Sequence, residues 1–454
     1  MTDLPMATFD QVEAAGEGVR PGAVVATDPP AADLPPRRRP RSPRKGTTAH
    51  APPDISGETP LATVESRYRH WFGPDYDLGV LRAVLATAAV GQLDGDPAWL
   101  LVVGGPGATK TETIAPLAGA GAIVTSSVTG EAALLSGTSK REVAADAHGG
   151  LLRRIGDEGI LVIKDVTTIL SMQRDSRAAV LAALREVYDG RWTREVGSDG
   201  GRTLTWEGRL VVVGAVTTAW DSAHAVISTM GDRFVLARMD STTGGTRRAA
   251  GLQALDNVGR EVEMRADLMD HVGRLLGGID PATAGQLSRK EQLQLLAVAD
   301  LVTLTRTAVE RDYQGNVVMA HAPEMPTRFA KQLAQIVRGG LALGLDREAA
   351  LAVAMRCAGD SMPPLRLVVL VAVAGRAEST TAEVTKLVQL PRQTVDRCLQ
   401  ELHLLALLVV EDRDRGKGVQ WVYRLNPEVD RGVLNALARS NQKCQEGPGE
   451  AGPT

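Results

Sequence analysis

Apolar residues recur along this chain in two periods. Leu100-Leu101-Val102-Val103, Ile160-Leu161-Val162-Ile163 and Leu210-Val211-Val212-Val213 are short unbroken runs bounded by glycine or polar residues. Such runs predict strands buried on both faces. Leu78, Leu81, Leu85 and Ala88 instead repeat at three and four, which predicts an amphipathic helix ahead of the first strand and a core that starts near Leu61. Between the second and third strands, Trp192 and Trp206 flank Asp199-Gly200 almost symmetrically, the pattern of a β-hairpin. From about Ala249 to Ala358 the helical period returns, as in Leu293, Leu296, Leu301 and Leu304. Beyond Pro363-Pro364 come a helix from Leu365 to Ala374, a second begun by Thr380 with Glu383 as a capping box, and a third from Arg392 after the turn at Leu390-Pro391. Two strands, 406–410 and 419–425, then enclose a charged loop, so this region reads as a helix-turn-helix with a wing.

The first strand runs into Gly104, Gly105, Pro106, Gly107, Ala108, Thr109, Lys110 and Thr111. This follows the phosphate-loop pattern GxxxxGK[ST], in which backbone N–H groups cradle phosphates, the lysine reaches the β and γ oxygens and the hydroxyl ligates Mg²⁺. Thr109 stands where the second glycine belongs. A side chain there is expected to avoid left-handed backbone, leaving either an altered cradle or a non-binding mimic. The second strand ends in Asp165, a carboxylate placed to hold Mg²⁺ together with Thr111, directly or through water. Val166 follows, and a valine cannot orient an attacking water. That role falls to Glu112 or Glu186, with Glu112 preferred and a plain helix-start carboxylate as the alternative. Thr217 or Thr218, at the polar end of the third strand, would face the γ-phosphate or the water. Arg233, next to Phe234, is either an anchored arginine that neutralises charge on a neighbouring subunit's nucleotide or a surface salt bridge.

A length of 454 residues at 44% hydrophobic content suits two or three soluble domains. The net charge of −3 requires any basic footprint to be local. Arg37, Arg38, Arg39, Arg41, Arg44 and Lys45 form one such patch in a proline-rich arm, residues 1–60, that is expected to be disordered and either touches phosphates or is simply solvated. Aromatic residues at 3% argue against a surface that stacks many unpaired bases. Three widely spaced cysteines fit neither a disulfide framework nor a zinc knuckle. With no apolar run near the roughly 18 residues needed to span a bilayer, and no leader pattern, a cytoplasmic location away from membranes is expected.

The order of these elements resembles the AAA+ ATPases over roughly residues 75–360. The resemblance implies an α/β P-loop fold with a parallel sheet in 61–248 and a helical lid in 249–360. Gly104 to Thr111 then corresponds to Walker A, Asp165 to Walker B, Thr217 to sensor 1, Arg233 to the arginine finger and Arg328, near a helix start capped by Thr327, to sensor 2 reaching the γ-phosphate from the lid. ATP and Mg²⁺ would be the cofactors and a homo-oligomeric ring the assembly. The hairpin is similar to the one before sensor 1 in minichromosome-maintenance helicases, where it faces the pore; Arg194 and Arg202 would touch DNA, unless the hairpin only covers an edge of the core. Segment 127–155 is similar to uncharacterised ATP-binding proteins of plasmids and phages. Residues 361–430 resemble a winged helix of bacterial regulators and archaeal replication initiators, with Arg392, Gln393, Thr394 and Arg397 in the recognition helix and Arg413, Arg415 and Lys417 in the wing as DNA contacts, or with protein as the ligand. Residues 431–454 are expected to be a flexible tail. Together these imply an ATP-hydrolysing initiator, helicase or translocase on DNA, or else a nucleotide-gated DNA-binding regulator with little or no hydrolysis. The departures at Thr109, Val166 and Thr217 bear on hydrolysis more than on binding.

Overall fold

In the computed structural model the described residues are 59–137, 148–197, 201–223, 232–240, 244–414 and 419–442. The expected arm, apart from residues 59 and 60, and the turn at Asp199-Gly200 lie outside them. Strands β1 (Trp99–Val103), β2 (Ile123–Thr125) and β3 (Glu158–Ile163) precede a hairpin of β4 (Arg191–Val196) and β5 (Arg202–Glu207). Strands β6 (Arg209–Val216) and β7 (Val235–Arg238) follow. The central sheet has the order β2-β3-β6-β1-β7 and is parallel throughout. The fold is therefore α/β, and β6 is inserted between β1 and β3.

Alternate residues of each strand feed two cores, as the pleat requires. Leu100 and Val102 of β1, with Val211, Val213, Val235 and Ala237, face one layer. Trp99, Leu101 and Val103, with Leu161, Ile163 and Val212, face the other. On the second face lie α4 (Glu131–Leu134), α5 (Leu151–Ile155), α6 (Thr167–Leu170), α7 (Arg174–Tyr188) and the hairpin. Trp192 and Trp206 stand opposite each other in the hairpin register and are both buried, which anchors the hairpin's base on this layer.

The first face carries α1 (Pro60–Phe72) and α2 (Leu78–Ala89). After α3 (Lys110–Ile114), α8 (Gly244–Asp256) lies outside this core against α1, with Gln253 donating to the His70 carbonyl at 3.3 Å, and the layer takes α9 (Glu261–Gly277), α10 (Arg289–Thr305), α11 (Thr327–Ala342) and α12 (Arg347–Asp360). The helical segment expected as a lid packs on α2, on residues 115–120 after α3 and on the edge strand β7. Helix α11 lies on α2 so closely that a Cβ on Gly339 would stand 2.1 Å from the Ala86 carbonyl oxygen. Thr327 is its first residue and caps nothing, since Pro326 is the N-cap. A small hairpin, β8 (Val309–Arg311) and β9 (Val317–Ala320), interrupts the helices before α11.

Helices α13 (Pro364–Ala374), α14 (Thr381–Val388) and α15 (Arg392–Leu404) combine with β10 (Ser379–Thr380), β11 (Leu408–Asp414) and β12 (Val419–Leu425) into a winged helix. Its capping box forms as expected, with Thr380 and Glu383 satisfying each other's backbone donors. This domain is not an independent tether. Its core is continuous with that of the helical layer, and Glu401 of α15 is buried between Arg366 of α13 and Arg311 of β8. Arg366 also donates to the carbonyls of Thr305 and Thr307 at 2.7 and 2.6 Å. The first part of the expected tail instead forms α16 (Arg431–Gln442), whose Leu434 and Leu437 are fully buried, while residues 443–454 lie outside the described residues. Among the described residues no single helix is long and apolar enough to cross a membrane.

Removing one partner of a buried ion pair strands the other charge, at a cost of about 3–5 kcal/mol. Glu401→Ala is therefore expected to lower the denaturant midpoint followed by circular dichroism; an unchanged midpoint contradicts the role given to this triad.

Candidate nucleotide site and nucleic-acid interface

Ligands of open parallel sheets bind beyond the carboxyl ends of the strands, where β1 delivers the glycine-rich loop. Gly104 continues β1 and donates its N–H to Val216 at 3.2 Å, so the loop starts in register with the end of β6. Gly107 has φ 78 and nothing within 4 Å of an added Cβ, leaving open space over the turn. Thr109 has φ 52 and ψ 8, the left-handed conformation it was expected to avoid. The surroundings hold it there. Its hydroxyl donates to the Ala108 carbonyl at 2.9 Å, and its own carbonyl accepts from the N–H and hydroxyl of Thr113, both at 3.0 Å. Thr113 is fixed in turn by the Tyr76 hydroxyl at 2.8 Å and the Tyr68 hydroxyl at 3.3 Å. Two buried tyrosines thus brace the loop's exit, and the left-handed turn survives without glycine.

Lys110 curls back over the loop, donating to the carbonyls of Gly104 and Gly105 at 2.8 and 2.6 Å. Partial burial lowers its pKa, an effect opposed by Asp165. Thr111 is exposed, as are Pro106 and Gly107. Asp165 is exposed beyond β3, one oxygen accepting from the Thr167 N–H at 2.9 Å. Thr217 follows β6 between these two groups, its hydroxyl 3.4 Å from that of Thr167. Lys110, Thr111, Asp165 and Thr217 therefore share the carboxyl edge of the sheet. Val166 is buried at 3% exposure and donates its N–H to Ala215. Position 166 accordingly points into the core. Glu112 is bound to Arg265 of α9 at 2.6 Å, and Glu186 is an exposed residue of α7.

The fit to a nucleotide with its metal rests on donor chemistry. Among the described residues no three His, Cys, Asp or Glu side chains are grouped to hold an ion. An exposed hydroxyl at Thr111 and an exposed carboxylate at Asp165 leave most of the shell to phosphate oxygens and water, which suits Mg²⁺.

Arg233 and Arg328 lie elsewhere. Gln332 accepts from the N–H of Trp99, the first residue of β1, and donates to the Arg233 carbonyl, both at 3.1 Å. Arg233 thus sits at the amino edge of the sheet, about 16 Å from the loop across five strand residues. Its guanidinium is largely buried beside Asp189, at 3.4 Å, and over the Tyr188 ring. Arg328 bonds Glu324 at 3.0 Å and the Asp232 carbonyl at 3.4 Å. Burial first, then the nearby Arg233 charge, lower its pKa. The expected reach of Arg328 to the γ-phosphate of its own chain is therefore corrected: it is a neighbour of Arg233.

Two arginines that periodicity did not single out stand at the loop's edge. Arg238 ends β7 level with Val103, forks onto Asp221 at 2.7 and 2.9 Å and donates to the Asp360 carbonyl at 2.7 Å. Arg356 forks onto Asp77, with both bonds at 2.5 Å. Only the charged end of an otherwise apolar strand hinted at Arg238.

At the winged helix, Arg392 and Gln393 are exposed, while Thr394 and Arg397 are half-buried. Arg397 donates to the Gln314 carbonyl of the β8–β9 turn at 2.9 Å. Arg413 forks onto Glu378 at 2.7 and 2.5 Å, so its charge is matched; Arg415 and Lys417 lie outside the described residues. In the large hairpin, Arg194 donates to the Leu135 carbonyl at 2.7 Å and Arg202 lies against Gly137. Both turn inward toward segment 131–137.

No protein-family model matches the chain, and no curated protein does. The solved structure of the Aeropyrum pernix Orc1 protein in complex with DNA is similar at 15% sequence identity, over 82% of this chain and 96% of that one, with a TM-score of 0.23. So loose an overlay transfers nothing, and the geometry above stands by itself.

A proline at position 109 would lock φ near −65° and break the observed turn. Thr109→Pro is expected to abolish binding of a fluorescent nucleoside triphosphate and Thr109→Gly to retain it. Equal binding by wild type and Thr109→Pro contradicts the braced left-handed turn.

Proposed function

We propose that this chain is an ATP-binding and ATP-hydrolysing AAA+-type protein that acts on DNA as a ring of identical subunits. The observation that carries the reading is the braced loop from Gly104 to Thr111 meeting Asp165 and Thr217 at one sheet edge. Lys110, released from its own loop carbonyls, would hold the β and γ oxygens, and Thr111 with Asp165 would hold Mg²⁺, which supplies charge neutralisation at the phosphates when bound. Thr217, beside them on the same edge, would orient a γ-oxygen or the water. With Val166 in the core and Glu112 engaged by Arg265, neither position offers a free glutamate to position water, and Asp165, engaged by Thr167 and assigned to Mg²⁺, would be a weak base at best.

In this reading Arg233 and Arg328, which lie together away from their own loop, would act on the next subunit's nucleotide once released from Asp189 and Glu324. A pair of guanidinium groups suits the spread negative charge of a transferring phosphoryl group. The winged helix, through Arg392 and Gln393, is the DNA contact in this reading. The buried Val166 also favours a second one, a nucleotide-gated DNA-binding regulator in which hydrolysis is slow or absent.

ATP turnover with and without DNA separates these. The expected result is DNA-stimulated turnover, lost in Lys110→Ala, and reduced about 10³-fold or more in Arg233→Ala and substantially in Arg328→Ala. Mixing either arginine variant with Lys110→Ala should restore activity. Full turnover by Arg233→Ala and Arg328→Ala alone contradicts the role of these arginines across a subunit boundary; background turnover by wild type, with ATP-dependent DNA binding, selects the regulator.

A further inference from the structure

The turn between β8 and β9 is built more firmly than a connecting loop needs. One Asp312 oxygen accepts from the N–H groups of Gln314 and Asn316 at 2.9 and 2.8 Å, and the other accepts from the Asn316 side chain at 2.9 Å. The main chain closes the same turn: Gly315, at φ 79, donates to the Asp312 carbonyl and Asp312 to that of Asn316, both at 2.9 Å. At its tip Tyr313 is 94% exposed, with its hydroxyl held by the Gln314 side chain at 3.0 Å. A large ring that buries almost nothing does not help the fold. Held on a rigid turn, it is preorganised to meet something else.

The position of the turn says what it meets. It is fastened to the recognition helix twice, by Arg397 on the Gln314 carbonyl and by Arg311 on Glu401. Residues 397 and 401 form one stripe of α15, so the hairpin covers that flank. An adjacent part of the helix carries Asp396, which accepts from Thr381 and Gln400, and a carboxylate there repels phosphate. The cationic, open part of α15 is its start, at Arg392 and Gln393, one turn from Arg397. A duplex seated on that start reaches the hairpin tip beside it.

We propose that the β8–β9 turn is a second contact to duplex DNA, with the Tyr313 ring laid against the sugar-phosphate backbone next to the start of α15. This rests on the winged helix being the DNA-binding element. A backbone contact fixes register and carries no base preference, so Tyr313 acts alike on unrelated sequences.

The test is fluorescence anisotropy of the full chain on two labelled duplexes of unrelated sequence, at low salt. Tyr313→Ala is expected to weaken binding to both by about five- to tenfold, the size of a lost aromatic contact. Tyr313→Phe, which keeps the ring, should stay within about twofold of wild type. Normal binding by Tyr313→Ala alongside weakened binding by the Arg392→Ala/Gln393→Ala double variant overturns the hairpin contact and leaves the winged-helix reading intact. If wild type binds neither duplex, or if the double variant and Tyr313→Ala all bind like wild type, both fall.

Discussion

Strand β7 is the outer strand of the parallel sheet, and everything at the phosphate edge depends on how its open side is closed. Among the described residues no further strand pairs there. The N–H of Leu236 instead donates to the Ser361 hydroxyl at 2.9 Å and that of Arg238 to the Asp360 carboxylate at 2.8 Å. Side chains at the end of α12 thus take the place of a sixth strand and prevent the edge from pairing with another chain. Asp360 is buried, which raises its pKa, and Arg356 and then the Arg238 backbone bond oppose that rise. Arg356 also reaches Asp77 at the start of α2 and the Arg238 carbonyl. One network of buried charges therefore joins the entry of α2, the end of β7 beside the glycine-rich loop, and the three residues that lead into the winged helix. Buried charges of this kind add little net stability but cannot be separated cheaply, so they fix one arrangement.

That constraint divides the molecule by sheet edge. The carboxyl edge gathers Lys110, Thr111, Asp165 and Thr217, while Arg233 and Arg328 share the amino edge with Asp189 and Glu324. Strand length alone keeps the two groups apart. Helix α9 closes on the loop's far side, where Gly273 and Gly119 meet so tightly that a Cβ on Gly273 would stand 2.6 Å from the Gly119 oxygen. The Arg265–Glu112 pair is the charged extension of this contact, so Glu112 serves packing.

Much of this was legible from periodicity. Strands β1, β3 and β6, the hairpin with its paired tryptophans and the capping box at Thr380 depend on neighbouring residues, whose spacing is visible in the chain; the short β2 and β7 carry too few apolar residues to stand out and went unread. The misreadings have a common physical source. Thr109 takes a left-handed backbone because Tyr68 and Tyr76, far ahead in sequence, secure Thr113 beneath it. Val166 resembled a lost glutamate, yet its position faces the core under Gly214, where an added Cβ would meet it at 2.8 Å. The helix bearing Arg328 was found, but its direction along α2 was not, because local pattern does not encode which face of the sheet a helix takes. Helix α16 carried a readable signal in Val433, Leu434 and Leu437, masked by the polar residues around it.

The most direct measurement is a calorimetric titration of the full chain with ATP in the presence of Mg²⁺. A braced phosphate loop gives one saturable site per chain, with the affinity falling sharply when Mg²⁺ is chelated. A titration that shows no saturable binding at millimolar ATP would mean that the loop from Gly104 to Thr111 is a structural turn, and the reading built on it would fail.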